Sequence, residues 1–494
     1  MATAALSRNA RRRARFTFDC RGASTPLQHF WEHTVGSDHA LMALRADWHA
    51  QLARAHRELG FRHVRFHGLL DDDMGTLVGE EGRLLYSFFN ADNIVDYLLA
   101  IGMRPFVELS FMPSALSSGD TTVFKYRGNV TPPKDVAQWC TLIERLVTHW
   151  AERYGVREVR NWFFEVWNEP NLAAFWTGSQ QDYFDFYRRT ALAIKGVDAH
   201  LRVGGPASAA NAWIHDFVEY CRGANAPLEF ISTHHYPTDA FGAPGDDTLT
   251  QLSKSRRSAM RDEARAVREQ AGRLPVYYTE WSSSSNPRDS LHDEPFAAAF
   301  AVKTILEAGG LVEGYSWWTF SDIFEENFFP VEAFHGGFGL LNVEGVAKPV
   351  YRAFQLLHGL GDEQLAGNGA HPTADAWVAR GDKGLRVIVT NFALPRHPVK
   401  NETVEVVLEH FRGHARASLQ RVDARHANAP AAWRRMRRPQ FPSAAQVECL
   451  ARASEIVAEP LQVRCARGEL LISVDVPPQG IAAVDVKASP AHGR

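Results

Sequence analysis

The sequence predicts an α/β protein, a (β/α)8 barrel with an accessory C-terminal β-sandwich. In the first part of the chain, short apolar strands alternate with amphipathic helices at intervals of roughly forty residues. Strands that alternate with helices pair in parallel, and eight such units close a barrel. From about Gly359 the helical stripes give way to short alternating strands such as 385–389, 403–408 and 481–486, which is typical of a sandwich. A doubly wound sheet would need a GxGxxG or GxxxxGK loop, and neither motif occurs.

The barrel elements can be predicted in chain order. We expect a first strand at 29–35 and a helix from about Asp47 to Gly60, which leads to a strand that ends in His67. The remaining predicted barrel strands are 104–111, 162–167, 201–206, 230–236, 276–281 and 314–320. We therefore expect the barrel to span 30–355 and the sandwich 356–494. The Arg- and Pro-rich region 429–440 is predicted to be a surface loop.

Length, charge and cysteine content exclude several classes of function. A chain of 494 residues exceeds one ordinary domain. Its net charge of -3 gives no positive electrostatic field that would attract nucleic acid. No apolar run reaches the ~20 residues of a membrane helix. The five cysteines show no CxxC spacing and indicate reduced thiols, and no apolar segment follows the N-terminal arginines to make an export signal. We expect a cytoplasmic protein with a disordered tail at 1–14 and no membrane partner.

The most informative stretch is 162–171, which reads Trp-Phe-Phe-Glu-Val-Trp-Asn-Glu-Pro-Asn. Its first half has the composition of a strand buried on both faces, and Pro170 then ends sheet pairing. Glu169 therefore lies at the carboxyl end of a buried strand, where barrel enzymes keep catalytic residues. A solvated loop acid is the alternative interpretation.

The string Glu-Val-Trp-Asn-Glu-Pro-Asn resembles the acid/base motif of glycoside hydrolase family 39, the β-xylosidase and α-L-iduronidase family. The resemblance extends over about 30–360 and, more loosely, over the remainder. It implies a retaining glycosidase without a cofactor. It also implies that the sandwich takes its first strand from the N-terminus, and the segment 15–29, with its alternating Phe16 and Phe18, is the candidate.

A retaining glycosidase needs two carboxyl groups roughly 5–5.5 Å apart, one a protonated acid and the other an ionised nucleophile. The motif makes Glu169 the acid/base. Glu280 ends the predicted strand 276–281, and the family resemblance makes this strand-seven glutamate the nucleophile; by itself it could be a surface acid. Asn168 is expected to bind the sugar 2-hydroxyl, although an Asn in this place could simply form a turn.

The resemblance also implies a substrate-binding set around the two glutamates. Its further members are His67, Phe111, His234, Tyr236, Trp318, Glu325 and Glu326. A zinc site at His63 and His67 is disfavoured because their spacing on a strand is not the HExxH helix geometry, and no third ligand is evident. Asp71, Asp72 and Asp73 are expected to form a solvated loop, with calcium binding as the lesser alternative.

Acidic residues around the sugar favour a neutral substrate over a uronate, because glutamates accept hydroxyl hydrogens and repel a carboxylate. We therefore predict an exo-acting β-xylosidase that hydrolyses small xylo-oligosaccharides by double displacement, with a monomer slightly favoured. Two alternatives stay open. One is the same chemistry on an arabinoside, galactoside or glucoside, and the other is a non-catalytic carbohydrate-binding barrel.

Overall fold

The computed structural model describes residues 14–80, 83–239, 245–327 and 329–489. Apart from Ala14, the tail predicted for residues 1–14 lies outside the described residues. None of the helices in the described ranges combines the length and the apolarity that a membrane span requires.

The first part of the chain contributes its first two strands to the C-terminal sandwich and then forms a closed barrel with two small loop hairpins. Its strands are β1 (Ala14–Asp19), β2 (Ser24–Pro26), β3 (Thr34–His39), β4 (His63–His67), β5 (Leu77–Glu80), β6 (Arg83–Tyr86), β7 (Arg104–Leu109), β8 (Thr122–Val123), β9 (Gly128–Asn129), β10 (Phe163–Val166), β11 (Arg202–Ser208), β12 (Phe230–His234), β13 (Val276–Trp281) and β14 (Gly314–Trp317). Strands β3, β4, β7 and β10–β14 pair in parallel in that order, and β14 closes on β3. The predicted (β/α)8 barrel is confirmed.

Helices cover the outside of the barrel. They are α1 (Ala46–Leu59), α2 (Phe89–Ala100), α3 (Val136–Trp150), α4 (Val156–Val159), α5 (Gln180–Val197), α6 (Ile214–Gly223), α7 (Thr248–Lys254), α8 (Ala259–Ala271), α9 (Pro295–Glu307) and α10 (Pro349–His358). Their boundaries follow local chemistry. The Asp135 side chain accepts from Ala137 N–H at the start of α3, and Gly60 ends α1 in the left-handed conformation with a φ of 78°.

The C-terminal part is a β-sandwich. Its strands are β15 (Glu363–Leu365), β16 (Gly367–Asn368), β17 (Ala374–Gly381), β18 (Gly384–Asn391), β19 (Glu402–Glu409), β20 (His414–Val422), β21 (Glu459–Leu461), β22 (Arg464–Ala466), β23 (Glu469–Val476) and β24 (Gly480–Ser489). One sheet has the order β16-β1-β19-β23-β22, and the other has the order β2-β15-β17-β18-β24-β20-β21. Strand β1 pairs in parallel with β19 and buries Phe16 and Phe18 between the sheets.

Two sequence predictions are wrong. The first barrel strand is Thr34–His39 rather than 29–35, because Phe30 and Trp31 belong to a buried 3-10 helix, Phe30–Glu32, that precedes the strand. The region 429–440 is not simply a surface loop. It begins with α11 (Ala429–Arg435), which packs against α12 (Ala444–Ala453) and buries Trp433.

The barrel interior is layered, and the layers position the site. At the amino ends of the strands lies an aromatic layer made of His33, His63, Phe106, Phe163, Phe230 and Tyr277. One step further along the strands lies a polar layer made of Arg65, Glu108, Glu165, Ser232 and Thr279, all fully buried. The third layer opens at the carboxyl ends of the strands, where barrel enzymes have their active sites.

Candidate active site

A cavity of about 740 Å³ opens at the carboxyl ends of the barrel strands. Both predicted catalytic glutamates line it, together with His67, Asn168 and Tyr236. Its volume falls within the roughly 300–1,000 Å³ of typical ligand clefts. Glu169 and Glu280 expose only 9% and 6% of their surface, and both line this cavity.

The two glutamates approach each other closely. One carboxylate oxygen of Glu169, one of Glu280 and a ring nitrogen of His234 all lie within 4.8 Å of one another. Glu169 follows β10 and Glu280 lies in β13, so barrel closure joins groups that are far apart in sequence. Such a short separation leaves no room for a water between the carboxyl groups, and a retaining mechanism requires this arrangement.

The backbone that presents Glu169 is strained. Trp167 and Glu169 have φ values of 75° and 44°, and L residues rarely adopt this left-handed region. Neighbouring structure holds the turn in place: Glu169 N–H donates to Ala207 O at 2.9 Å, and Trp167 Nε1 donates to Phe175 O at 2.7 Å. The side chain of Glu169 is therefore aimed into the cavity by contacts outside its own strand.

Arg65 links the polar layer to the site. Its guanidinium donates to Glu165 Oε2 at 2.6 Å, to Glu280 Oε1 at 2.8 Å and to Asn168 Oδ1 at 2.9 Å. It also contacts Glu108 Oε2 at 2.7 Å. A buried guanidinium can satisfy several carboxylates at once because its donors point in fixed directions. Arg65 thus fixes the positions of Glu280 and Asn168 and compensates their buried charge.

A chain of hydrogen bonds runs from the polar layer to Glu169. Thr279 Oγ1 donates to Glu165 Oε1 at 2.8 Å, and His234 Nε2 lies 3.0 Å from that same hydroxyl oxygen. Because the hydroxyl hydrogen goes to Glu165, Nε2 of His234 must be the donor to Thr279. Nδ1 of a neutral His234 is then an acceptor, 2.9 Å from Glu169 Oε1.

The pKa shifts agree with this assignment of hydrogens. Burial and the charge of Arg65 hold the pKa of His234 well below its usual range, so the ring is neutral. Burial and the nearby Glu280 charge raise the pKa of Glu169 well above its usual range. The contact between Glu169 and His234 is therefore a hydrogen bond from a carboxylic acid to a neutral imidazole, not an ion pair.

Glu280 is held at both oxygens. Arg65 donates to Oε1, and Tyr236 OH donates to Oε2 at 3.0 Å. Burial and Glu280 raise the pKa of Tyr236 well above its usual range, so the phenol keeps its proton. A carboxylate fixed in this way can attack an electrophile, and the neighbouring protonated acid can assist a leaving group.

The structure brings most of the predicted substrate-binding residues to the cavity. His67, Asn168, Tyr236, Trp318 and Glu326 line it. His67 Nε2 lies 3.6 Å from both Glu280 Oε1 and Glu326 Oε1, and its ring centroid is 4.8 Å from that of Trp318. Burial and the charge of Asp38 raise the pKa of Glu326 well above its usual range, so it can both donate and accept hydrogen bonds.

Three predicted residues are not among those that line the cavity. Phe111 is fully buried behind the site, and its ring centroid lies 5.6 Å from that of Trp167. His234 is fully buried and contacts Glu169. Glu325 is partly exposed and lies 3.6 Å from Arg45. Direct contact of these three with a sugar stays a prediction.

The predicted loop of three aspartates is not uniformly solvated. Asp71 is buried, accepts from Phe111 N–H at 2.9 Å, and has its pKa raised by burial to about 7. Asp72 accepts from Ser114 N–H, and Asp73 lies 3.4 Å from His39. The three carboxylates thus have separate partners.

The sequence analysis missed Arg65, Glu108, Glu165 and Thr279, which hold the two catalytic candidates in place. The available signal was a single charged residue inside each of three apolar strands. Charged side chains are almost never fully buried unless they are paired. The partners could not be identified without the barrel geometry.

His63 and His67, which were considered as a zinc pair, lie in different layers of the barrel. His63 belongs to the aromatic layer, where its Nδ1 lies 2.7 Å from His33 O, whereas His67 is in the third layer. Burial lowers the pKa of His63 to about 4.

Comparisons with known proteins give matches over most of the chain. The model of the glycosyl hydrolases family 39 matches residues 15–470. The chain is 44% identical to a beta-xylosidase of Caldicellulosiruptor saccharolyticus over 467 residues, which cover 93% of this chain and 96% of the relative. It is 36% identical to a beta-xylosidase of Geobacillus stearothermophilus, with 92% of each covered. A solved monomeric beta-xylosidase from Caulobacter crescentus CB15 superposes with a TM-score of 0.83 at 33% identity, over 96% of this chain and 99% of that one.

Proposed function

The chain belongs to the glycosyl hydrolases family 39 and is therefore a glycoside hydrolase, and we propose that it is an exo-acting β-xylosidase. The proposal assigns Glu280 as the nucleophile and Glu169 as the acid/base of a double displacement. The observation that supports it most strongly is the close approach of the two carboxyl groups, within 4.8 Å, in a cavity at the mouth of the barrel.

In the first step, Glu280 attacks the anomeric carbon and Glu169 donates its proton to the leaving oxygen. The hydrogen bonds from Arg65 and Tyr236 leave Glu280 with its oxygens fixed, which reduces the reorganisation needed for attack. Asn168 is assigned to the sugar 2-hydroxyl, because Arg65 holds its carboxamide oxygen and its NH2 group has no hydrogen-bond partner among the residues that the structure describes.

In the second step, water hydrolyses the glycosyl-enzyme with Glu169 as the base. Esterification of Glu280 removes its negative charge, and one cause of the raised Glu169 pKa disappears with it. Glu169 can therefore act as an acid in the first step and as a base in the second.

The choice of a neutral sugar over a uronate rests on the groups around Glu280. Arg65 is committed to three carboxylates and Asn168, so it is not available to a substrate carboxylate. Glu326 and Trp318 form the wall there and favour hydroxyl groups and an apolar ring face. Other neutral glycosides are the closest competitors to a xyloside.

The proposed substrate is a small xylo-oligosaccharide, and we propose action in the cytoplasm as a monomer. All five cysteines lie in the described part of the chain and are free thiols, as expected in a reducing compartment. The similar beta-xylosidase from Caulobacter crescentus CB15 is monomeric, which supports the same state for this chain. Cell fractionation and light scattering on purified protein test these two statements.

A panel of 4-nitrophenyl glycosides tests the function. We expect the highest kcat/KM on the β-D-xyloside, lower values on the α-L-arabinoside, β-D-galactoside and β-D-glucoside, and no hydrolysis of an α-L-iduronide. Absence of hydrolysis on the whole panel by folded protein would contradict the β-xylosidase proposal.

A further inference from the structure

The catalytic cavity extends well beyond the two glutamates. Its outer wall comes from the segments that follow β11 and β12 and from the start of α8. Ala209, Ala210, Pro237, Ala259 and Glu263 contribute to this wall. None of these residues takes part in the proposed double displacement.

The proposed function assigns the outer wall to the leaving-group side. The proposed acid, Glu169, must face the leaving oxygen, and the sugar that is cleaved off is assigned to the end near Trp318 and Glu326. The wall is also fixed relative to Glu169. Asn171, two residues after it, donates to Ala209 O at 3.1 Å and accepts from Ala209 N–H at 2.8 Å.

Glu263 is the distinctive group in this wall. It lies on α8 one turn after Ala259, so both side chains are on the same helix face, and the small Ala259 leaves space beside the carboxylate. The side chain is partly exposed, and Asn211 Nδ2 donates to its Oε2 at 3.3 Å. Most of its capacity to accept hydrogen bonds is unused among the described residues.

Nearby cations do not neutralise Glu263. Lys254 pairs with Asp246 at 2.8 Å, and Arg256 lies 3.5 Å from Asp262. His235 faces Glu263, but burial lowers the pKa of that imidazole and leaves it uncharged. Within the part of the chain that the structure describes, no Lys or Arg forms an ion pair with Glu263.

We infer that Glu263 is a specificity-determining residue of a leaving-group subsite, where its carboxylate accepts hydroxyl hydrogens of a second neutral sugar. The inference rests on the proposed function. A carboxylate with free acceptor positions suits a polyol, because it can bind two hydroxyl groups at once. Ala209, Ala210 and Pro237 offer apolar contact to the ring. Glu263 should therefore contribute to kcat/KM for a glycosyl leaving group but not for an aryl one of similar size.

The test compares xylobiose with 4-nitrophenyl β-xyloside, whose leaving group has no sugar hydroxyls. The value of kcat/KM reports the steps up to the first bond cleavage, so it responds to contacts with the leaving group. For Glu263→Ala we expect a roughly 10- to 100-fold loss on xylobiose, the range for hydrogen bonds to a charged group, and little change on the aryl substrate. Glu263→Gln should lose less of its kcat/KM on xylobiose, because its amide oxygen still accepts a hydrogen bond.

Glu269→Ala is the matched control, because Glu269 is an exposed residue on the same helix. This variant should keep the wild-type kcat/KM on both substrates. Activity on the aryl xyloside shows that each variant is folded. An equal loss on both substrates, or no loss on xylobiose in Glu263→Ala, would overturn the subsite while leaving the β-xylosidase proposal intact. Wild-type protein inactive on the aryl xyloside would overturn both.

Discussion

Nδ1 of His234 lies 2.9 Å from Oε1 of Glu169, and the two groups form a hydrogen bond between neutral partners. The bond depends on Thr279, which occupies the other ring nitrogen and thereby fixes the tautomer. His234 and Thr279, from neighbouring strands, thus keep a proton on the group proposed to donate it.

We predict that Thr279→Val lowers the pKa of Glu169. Without the hydroxyl, His234 is no longer fixed as an acceptor, so the protonated form of Glu169 loses a bond that stabilises it. One hydrogen bond of about 1 kcal/mol corresponds to roughly 0.7 pH unit. The basic limb of the kcat/KM profile should move to lower pH by about this amount. Thr279→Ser retains the hydroxyl and should keep the wild-type profile; an unshifted limb in Thr279→Val would contradict the tautomer assignment.

We predict that Glu280→Gln also lowers the pKa of Glu169, without restoring its ordinary value. The variant removes a negative charge that disfavours ionisation of Glu169, but burial, the larger cause of the shift, remains. Titration of 13C-labelled glutamate by NMR can follow Glu169 directly, and its signal is identified by loss in Glu169→Gln. A Glu169 pKa that is unchanged in Glu280→Gln would show that the two groups are not coupled.

We predict that Arg65→Met strongly destabilises the protein. It leaves the carboxylates of Glu108, Glu165 and Glu280 buried without their shared cation, and loss of one partner from such a pair costs about 3–5 kcal/mol. Burial acts to raise the pKa of Glu108, but Arg65 lowers it overall.

The loss of unfolding free energy in Arg65→Met should depend on pH in a defined direction. A lowered pKa gives wild-type stability that is present above the unfolded pKa and lost as pH falls through the folded one. The variant lacks this contribution, so its deficit should shrink on acidification. Urea unfolding at pH 7 and at about pH 3.5, below the ordinary glutamate pKa of about 4.3, measures the difference, with Arg65→Lys as the charge-conserving control. A deficit that grows on acidification would contradict the predicted direction.

We predict graded rather than absolute discrimination among neutral sugars. A pocket wall that excludes one CH2OH group discriminates by about 1–3 kcal/mol, so kcat/KM on a β-glucoside should be roughly 10- to 200-fold below that on the β-xyloside. Uronides should be rejected far more strongly, because the carboxylate of Glu280 is close to the sugar site and the neighbouring cation, Arg65, is already paired with three carboxylates. Comparable kcat/KM on an iduronide would reverse the assignment.

The sequence was sufficient for the fold class, which depends on local patterns, and for the two candidate catalytic groups, of which Glu280 also required the family resemblance. The motif around Asn168 and Glu169 ends a buried strand, and Glu280 ends another. The role of Arg65 was not accessible, because its partners lie 100 and 215 positions away and meet it only when the barrel closes.

Two errors had local causes that a closer analysis could have found. Phe30 and Trp31 look like strand residues, yet they pack in a 3-10 helix. The start of α11 has a recognisable signal: Asn428 caps the helix by accepting from Ala431 N–H, and Pro430 follows in the first turn. The high arginine content of the region concealed this signal.

The stereochemistry of azide rescue tests the central claim, the assignment of Glu169 and Glu280 to separate roles. In Glu169→Ala, Glu280 still forms the glycosyl-enzyme from an activated xyloside, and azide then displaces it with a second inversion to give the β-xylosyl azide. In Glu280→Gly, azide enters from the vacated face and inverts once to give the α-xylosyl azide. Proton NMR of the anomeric signal distinguishes the products. We predict β from Glu169→Ala and α from Glu280→Gly; the opposite pairing, or no rescue of either folded variant, would contradict the account.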